Sequence, residues 1–291
     1  MPEPESIAVI IPALAGDTAA LEAALANQTL PPAEVHIVRG VRPNGRARNL
    51  GVAATCAPIL VFIDDDALPG DEHLIARLVA PLLRDPTIGV AGASKLLPPM
   101  ASAFQRRVAR EVPRIEHAVV AHDSETNPEP PAYYCDVTTT CCAIRRDTFA
   151  AVGGFDETLV RGVDTEFLVR LRRTALPATP EACYRVVLAA RCWAWHPAPA
   201  TLGALLRKQF LYGFGHAQEV RRDPARARGR ALHTPLHALA FLAFRTAIVP
   251  LNVVLPYSYA APSWRPGWKP LKAICSYASA LGYLAGWYRG S

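Results

Sequence analysis

The 291-residue sequence contains seven cysteines, but no two of them are spaced as C-x-x-C. This absence argues against a zinc-binding motif and against a thioredoxin-like redox motif. The N-terminus, MPEPESIAVIIP, also lacks the basic flank and long apolar run of a secretory signal peptide. We therefore expect the body of the protein in the reducing cytosol, with cysteines that serve as small core residues.

Acidic residues are scarce towards the end of the chain. Residues 1–196 carry 19 Lys/Arg and 23 Asp/Glu, whereas residues 197–291 carry 12 Lys/Arg and only 2 Asp/Glu. With 51% hydrophobic and 19% charged residues, the whole chain is too apolar to be disordered. A mildly acidic body followed by a basic, apolar tail indicates a membrane surface or another anionic partner at one end.

Short apolar segments alternate with helical segments over the first hundred residues. Strands are predicted at residues 7–12, 35–38, 59–63 and 88–91, and helical segments separate them. Further on, the pattern predicts helices over 147–152, 165–173 and 202–220, and an extended run over 184–195. Such alternation predicts an α/β fold with a mostly parallel sheet flanked by helices.

The end of the chain has long stretches with almost no charge. Residues 231–264 contain one formal charge, Arg245, and residues 273–288 contain none. Prolines interrupt the first stretch and favour short interfacial or re-entrant helices over one straight membrane span; they are Pro235, Pro250, Pro256 and Pro262. We expect a domain over 1–220 and a C-terminal apolar helical appendage over 221–291. Packing of these helices on the sheet domain is the alternative.

Three consecutive carboxylates, Asp64, Asp65 and Asp66, follow the apolar segment 59–63. Adjacent carboxylates repel one another unless a cation or several hydrogen-bond donors neutralise them. Divalent metals such as Mg²⁺ and Mn²⁺ take oxygen ligands, and open α/β sheets bind ligands beyond the carboxyl ends of their strands. The pattern therefore predicts a metal and phosphate site, with a solvated loop or a helix cap as the alternative.

Two further residues are candidates for chemistry. Asp164 stands at the start of a predicted helix, where the helix dipole favours an ionised carboxylate, although a plain N-terminal cap would use the same residue. His196 follows the extended run that ends in Trp193 and Trp195, and a histidine before a proline could simply cap a turn there.

The order of these segments resembles the inverting family-two glycosyltransferases, which have a GT-A fold. The resemblance covers roughly residues 6–220. It rests on the opening IAVIIPA, on GRARNLGVAAT, on the strand ending in Asp64-Asp65-Asp66, on TTTCCAIRRDTFAAVGGFDETL and on VDTEFLVRL. Each motif alone is short, and their order and spacing carry the resemblance.

The resemblance implies a nucleotide-sugar donor, a divalent Mn or Mg cofactor and transfer of one sugar to an acceptor hydroxyl with inversion. Asp164 matches the catalytic base of the family, and Asp66 and His196 match its metal ligands. The implied donor-binding residues are Pro12, Arg48, Asn49, Asp64, Asp65, Arg207 and Gln209.

This sequence also departs from the pattern of the family. Arg39 stands where relatives have an aspartate that contacts the base, and Val163 replaces the first acid of their Glu-Asp pair. QFLYG over residues 209–213 departs from the motif of processive synthases, which favours single transfer. The alternative is a membrane-docked, catalytically weak GT-A scaffold or nucleotide-sugar-binding protein. A nucleotidyltransferase is disfavoured because PALAGDTAALE, the loop after the first strand, has one glycine and no basic residue.

The tail predicts a peripheral or monotopic protein on the cytoplasmic side of the cell membrane, with a lipid-linked or glycan acceptor and no nucleic-acid partner. Basic residues suited to an anionic leaflet are Arg221, Arg222, Arg226, Arg228, Arg230, Lys269 and Lys272. Aromatic residues suited to the headgroup boundary are Tyr257, Tyr259, Trp264, Trp268, Tyr283, Trp287 and Tyr288.

Overall fold

The computed structural model describes residues 6–14, 16–112, 118–126, 136–224, 232–254 and 269–289. These residues divide into two compact units. Unit 1 comprises the described residues of 1–98, 116–158 and 163–197, and unit 2 comprises those of 99–115, 159–162 and 198–291.

Unit 1 is built on a mixed sheet. Its strands are β1 (Ile7–Ala13), β2 (Glu34–Arg39), β3 (Ile59–Ile63), β4 (Leu68–Pro69), β5 (Ile88–Leu96), β6 (Ser124–Thr126), β7 (Cys141–Arg145) and β10 (Arg185–Trp195), and β8 (Ala175–Leu176) pairs with β9 (Thr179–Cys183). The order is β2-β1-β3-β7-β5-β10-β4, and β6 also pairs with β10. Strands β2, β1, β3, β5 and β10 point the same way, while β7 runs against β3 and β5. The predicted α/β class with a mostly parallel sheet is confirmed.

Helices cover both faces of this sheet. They are α1 (Ala19–Ala26), α2 (Asn44–Ala53), α3 (Leu74–Arg84), α5 (Arg146–Val152) and α6 (Val163–Leu171). On one face, Val9 and Val61 pack with Leu21 of α1 and Leu78 of α3 in a single buried cluster. On the other face, Phe62 packs against the rings of Phe149 and Phe155. Burial on both faces explains why β3 is a continuous apolar run rather than an alternating one.

One predicted boundary is wrong beside the three carboxylates. The sequence favours a helix over residues 70–84, but α3 begins at Leu74. Residues 68–69, just before the predicted start, form β4 and pair antiparallel with Trp195 and Ala194 of β10. The N–H of Gly70 donates to the carbonyl of Trp193 at 2.9 Å, so a contact with a distant segment keeps Gly70 out of the helix.

Unit 2 is helical where it is described. It contains α4 (Ala103–Glu111), α7 (Leu202–Arg222), α8 (Pro235–Val254) and α9 (Pro270–Arg289). Helices α7 and α9 lie so close that a β-carbon on Gly213 would be 1.8 Å from the carbonyl oxygen of Ser279. Helix α7 therefore packs with the tail helices, and the domain boundary at residues 220–221 stays a prediction.

The prolines of the tail do not shorten α8 as expected. Pro235 is its first residue, where a missing N–H costs nothing, and the helix continues through Pro250. Within the described residues, no helix combines the length and the apolar character that a membrane crossing requires. The predicted residues Arg226, Arg228, Arg230, Tyr257, Tyr259, Trp264 and Trp268, with Pro256 and Pro262, lie outside the described residues.

The cysteines are only partly core residues. Cys141, Cys142, Cys192 and Cys275 are buried, as expected, but Cys56 and Cys183 are exposed. Burial raises the pKa of the Cys192 thiol to about 12, which keeps it protonated and unreactive at neutral pH.

Candidate metal and donor site

Three potential metal ligands meet at the carboxyl ends of β3 and β10. Ligand atoms of Asp64, Asp66 and His196 all lie within 4.8 Å of one another. The Nε2 atom of His196 is 3.5 Å from Oδ1 of Asp66. We call these three residues the metal triplet. Two carboxylates and an imidazole form a donor set that suits Mn²⁺ or Mg²⁺.

The backbone turn after β3 sets the carboxylates in place. The N–H of Asp64 donates to the carbonyl of Thr140 at 3.0 Å, and the N–H of Ala67 donates back to the carbonyl of Asp64 at 3.0 Å. The chain then enters β4, which pairs with the end of β10. This pairing brings His196 close to Asp64 and Asp66, which are far away in the sequence.

The side chain of His196 is more buried than that of Asp66, and the backbone of His196 is hydrogen-bonded to the neighbouring strand. Its N–H donates to the carbonyl of Leu96 at 2.9 Å, and its side chain is 11% exposed, against 56% for Asp66. Nearby, a β-carbon on Gly70 would lie 2.2 Å from Nε1 of Trp193, so only glycine fits at this point of the turn. The histidine is therefore positioned by the sheet, while Asp66 faces solvent.

Arg48 of α2 is a buried arginine that contacts the metal triplet through Asp64. Its Nη2 donates to Oδ1 of Asp64 at 2.7 Å, its side chain is 4% exposed, and its guanidinium lies 5.8 Å from the ring centre of Phe155. Among the described residues its buried Nε has no hydrogen-bond partner. Arg48 thus neutralises one of three adjacent carboxylates and fixes the direction of the Asp64 side chain.

Asp65 lies in a different environment from its neighbours. Burial, followed by the charges of Asp66 and Asp64, raises the pKa of its carboxyl above the usual range. A β-carbon on Gly16 would be 2.9 Å from Oδ2 of Asp65, so this carboxylate faces the loop between β1 and α1. Arg39 binds the same loop through the carbonyl of Gly16 at 3.0 Å and the hydroxyl of Thr18 at 2.8 Å.

Asn49 connects two elements of unit 1 through its side-chain hydrogen bonds. Its amide nitrogen donates to the carbonyl of Phe155 and to a carboxylate oxygen of Glu157, both at 2.9 Å, and its oxygen accepts from the N–H of Phe155 at 3.0 Å. Asn49 therefore ties α2 to the turn before α6. Pro12 is buried in β1 opposite Val38. The donor-binding roles of Pro12 and Asn49 stay predictions.

Asp164 lies in the first turn of α6, and its Oδ1 accepts from the N–H of Thr165 at 2.9 Å. The helix is anchored by Phe167, which is 1% exposed and packs against the ring of Phe155 at 4.8 Å. Val163 is 5% exposed, and a β-carbon on Gly45 would touch it at 3.2 Å. An acid at position 163 would be buried against α2, which explains why this chain has valine there.

Two of the predicted donor-binding residues lie in unit 2. Arg207 and Gln209 are on α7, Arg207 exposed and Gln209 half-buried. The neighbouring acid Glu166 accepts from the guanidinium of Arg170 through both oxygens, at 2.6 and 2.7 Å. Glu166 is therefore already neutralised, whereas Asp164 forms no ion pair among the residues that the structure describes.

Lys95 is a buried charge that the sequence patterns do not indicate. Lys95 stands near the carboxyl end of β5, opposite Ala194 of β10, and is 8% exposed. Lysine is seldom buried unless it is paired, so this residue belongs with the polar groups at the same edge of the sheet. Its signal in the sequence is a single lysine in the apolar strand IGVAGASKL.

No protein-family model matches the sequence, and no curated protein sequence matches it. Among solved structures, a mannosyltransferase from Pyrobaculum calidifontis, in complex with GDP-Man and Mn²⁺, matches 98% of this chain and 88% of its own. The sequence identity is 15% and the TM-score is 0.57. The fold is therefore of the GT-A type. A glucosyl-3-phosphoglycerate synthase from Mycobacterium tuberculosis, in complex with Mn²⁺, UDP-glucose and phosphoglyceric acid, matches 75% of this chain and 79% of its own. Here the identity is 18% and the TM-score 0.46.

Proposed function

We propose that the protein is a glycosyltransferase that moves one sugar from a nucleotide-sugar donor to an acceptor hydroxyl with inversion. The observation that carries this proposal is the metal triplet, Asp64, Asp66 and His196, at the carboxyl ends of strands in a GT-A-type fold. The mannosyltransferase with the same fold contains GDP-Man and Mn²⁺, which supports a nucleotide diphosphate and a divalent metal here as well.

In this proposal Asp66 and His196 hold the divalent metal. When bound, such a metal neutralises the charge of the donor diphosphate and makes it a better leaving group. Asp64 and Asp65 bind the donor, and buried Arg48 acts by fixing Asp64. Pro12, Asn49, Arg207 and Gln209 complete the proposed set of donor-binding residues.

Asp164 is the proposed general base. Its carboxylate takes the proton of the acceptor hydroxyl while the hydroxyl oxygen forms a bond to the anomeric carbon. The bond between that carbon and the diphosphate oxygen breaks on the opposite side, and the electron pair leaves with the diphosphate. Asp164 lies in the first turn of α6, where the helix dipole attracts negative charge.

The acceptor is proposed to be lipid-linked, with the protein docked on the cytoplasmic side of the cell membrane. Leu236, Leu239 and Phe244 on α8 are 74%, 54% and 55% exposed, an unusual concentration of large apolar side chains on one helix. From Pro224 to the end, the chain has eight Lys/Arg and no Asp or Glu side chain. Exposed apolar side chains within a basic segment of the sequence support attraction to an anionic leaflet.

A thermal-shift panel of nucleoside diphosphates, with Mn²⁺ and with chelator, tests the proposal. A ligand present at a hundred times its Kd stabilises the folded state by about 2.7 kcal/mol, which raises Tm by several degrees. We expect a shift that requires Mn²⁺ and is largest for one base. If no diphosphate shifts Tm, the proposal fails. Binding without sugar transfer would favour the alternative of a nucleotide-sugar-binding scaffold.

A further inference from the structure

The segment that leads into Asp164 belongs to unit 2. The residues on both sides of Leu159–Gly162 group with unit 1, but these four residues group with unit 2. We call Leu159–Gly162 the linking segment. Only Val163 separates it from Asp164, which lies in the first turn of α6. The contacts that hold the linking segment therefore influence where the proposed base lies.

Gln218, near the end of α7, binds the backbone of the linking segment. The N–H of Val160 donates to Oε1 of Gln218 at 3.1 Å, and Gln218 is 8% exposed. A side chain that is packed on nearly all sides has few conformations open to it. This hydrogen bond therefore favours a single position of the linking segment on α7.

Close packing of backbone against α7 adds to this hydrogen bond. A β-carbon on Gly162 would lie 1.9 Å from Oε1 of the buried Glu219, and one on Gly215 would lie 2.7 Å from the carbonyl oxygen of Arg161. Gly162 also has a φ of +82°, which other residues rarely adopt. The linking segment thus lies directly on α7, with a glycine on each side of the contact.

The place of Asp164 depends on how the chain enters α6. Its Oδ1 accepts from the N–H of Thr165 at 2.9 Å, a bond within its own helical turn that moves with the helix. The first turn of a helix lacks part of the backbone hydrogen bonds of the later turns, so the preceding residues help to set its position. A displacement of about 1 Å at a reacting group can cost roughly 10²-fold in rate.

We propose that Gln218 and Glu219 are positioning residues for Asp164. By holding the linking segment on α7, they set the place of the proposed general base. The inference rests on the proposed function for the role of Asp164, and it adds two residues of unit 2 to those that the reaction requires. They act through the backbone of residues 159–162 and exchange no proton themselves.

Gln218→Met tests the hydrogen bond, because methionine keeps the length of the side chain and removes its oxygen. The reaction is followed as Mn²⁺-dependent hydrolysis of GDP-mannose and of UDP-glucose, in which water replaces the acceptor and gives its proton to Asp164. We expect kcat to fall by about 10- to 100-fold while the Kd of each nucleotide sugar stays unchanged. Gln218→Glu should restore most of the rate, since a carboxyl group still offers an oxygen to the Val160 N–H.

Gln28→Met is the matched control in unit 1. Gln28 is 6% exposed, and its Oε1 also accepts from a distant backbone N–H, that of Ile75 at 3.0 Å. The substitution removes the same kind of bond far along the chain from Asp164, so it should lower stability as Gln218→Met does and leave kcat at the parent value. The parent rate in Gln218→Met, an equal loss of rate in Gln28→Met, or no recovery in Gln218→Glu overturns the positioning role.

Amide hydrogen exchange measures the hold on the linking segment without any substrate. Peptides from residues 159–165 should exchange roughly two- to tenfold faster in Gln218→Met, the factor that one hydrogen bond supplies, and at the parent rate in Gln28→Met. Unchanged exchange in Gln218→Met overturns the inference even where no hydrolysis is detected. If Gln218→Met does not fold, Gly162→Ala replaces it and should loosen the same segment, because a methyl group would meet Glu219 there.

Asp164→Asn separates this inference from the proposed function. A slow Asp164→Asn together with a Gln218→Met at the parent rate leaves the proposed base in place and removes the positioning role. Full activity in Asp164→Asn contradicts the proposed base instead, and faster exchange at residues 159–165 would then report a structural contact only.

Discussion

The two units of this protein differ in how their charges are arranged. In unit 1 several cations have carboxylate partners from the same chain, among them the pairs Arg48–Asp64, Arg77–Asp71, Arg170–Glu166 and Arg172–Glu125. Unit 2 also contains an ion pair, Arg107–Glu111, but the sequence from Pro224 on has eight Lys/Arg and no Asp or Glu side chain. In unit 1 two carboxylates, those of Asp64 and Asp66, also meet in the metal triplet.

This difference indicates what each unit binds. Two carboxylates and an imidazole whose ligand atoms lie within 4.8 Å of one another favour a bound cation, and a basic, apolar segment favours an anionic surface. Substitutions in one unit at a time test this difference, and they are given from the largest expected effect to the smallest.

Asp66→Ala should abolish manganese-dependent nucleotide binding. The substitution removes one of two carboxylates from the metal triplet, and loss of a metal ligand costs more than the roughly 10- to 100-fold typical of residues that merely support ligands. Because the Asp66 side chain is 56% exposed, the protein should stay folded. Calorimetric titration with nucleoside diphosphate and Mn²⁺ measures the effect. Glu72→Ala is the control, since Glu72 is an exposed acid outside the triplet. Unchanged affinity in Asp66→Ala would remove Asp66 from the metal site.

Asp164→Asn should lower the rate of sugar transfer by about 10²–10⁴ and leave donor affinity nearly unchanged. The amide has the shape of the carboxylate but cannot take the proton of the acceptor hydroxyl. Single-turnover kinetics with the donor measure the chemical step. Glu166→Gln serves for comparison, because Glu166 is engaged by Arg170 and should matter less to the rate. Full turnover in Asp164→Asn, with loss in Glu166→Gln, would move the base to Glu166.

Leu239→Glu should weaken binding of the full chain to anionic vesicles by about tenfold or more. It removes an apolar side chain worth roughly 1.5–3 kcal/mol when buried and adds a like charge facing the leaflet. Leu83→Glu is the matched control, since Leu83 is a leucine of α3 in unit 1 with 57% exposure, against 54% for Leu239. Vesicle flotation measures both. Equal flotation of the two variants would contradict docking through α8. Deletion of the tail is a poorer test, because α7 packs against α9.

Local patterns in the sequence predicted most of unit 1. The segment 59–63 matches β3 at both ends, because a strand buried on both faces must be apolar throughout. The carboxylates that end it were predicted as a metal site from their position after a strand, and His196 was predicted from the family resemblance; the structure brings Asp64, Asp66 and His196 together. The pairing of β4 with β10 could not be predicted from local patterns, because it joins segments that are distant in the sequence. This pairing brings His196 close to the two carboxylates of the metal triplet.

Unit 2 was harder to predict for the same physical reason. The association of α7 with α9 depends on glycines: a β-carbon on Gly282 would lie 1.9 Å from the carbonyl of Phe210, some seventy residues away. The local sequence pattern of each helix does not predict that the two helices pack this closely. The continuity of α8 through Pro250 also contradicts the local expectation, since proline removes one hydrogen bond without always ending a helix.

Asp85→Asn should give the smallest effect, a loss of less than about 1 kcal/mol that depends on pH. Asp85 accepts from the hydroxyl and the N–H of Thr87 at 2.7 and 2.8 Å and pairs with Arg185, and these contacts lower the pKa of its carboxyl. A lowered pKa in the folded state means that the carboxylate stabilises the protein at neutral pH. This contribution is lost as pH falls through the pKa of the folded state, below the ordinary value of about 3.9.

Urea unfolding of the parent and Asp85→Asn proteins at neutral and acidic pH measures this difference, which should be present at neutral pH and vanish on acidification. Lys272→Gln supplies the opposite case from unit 2. Burial lowers the pKa of Lys272, so its charge disfavours the folded state at neutral pH, and its removal should cost no stability when no anion is bound. A neutral Asp85→Asn together with a destabilising Lys272→Gln would contradict the contrast between a carboxylate of unit 1 that its partners stabilise and a cation of unit 2 that burial disfavours.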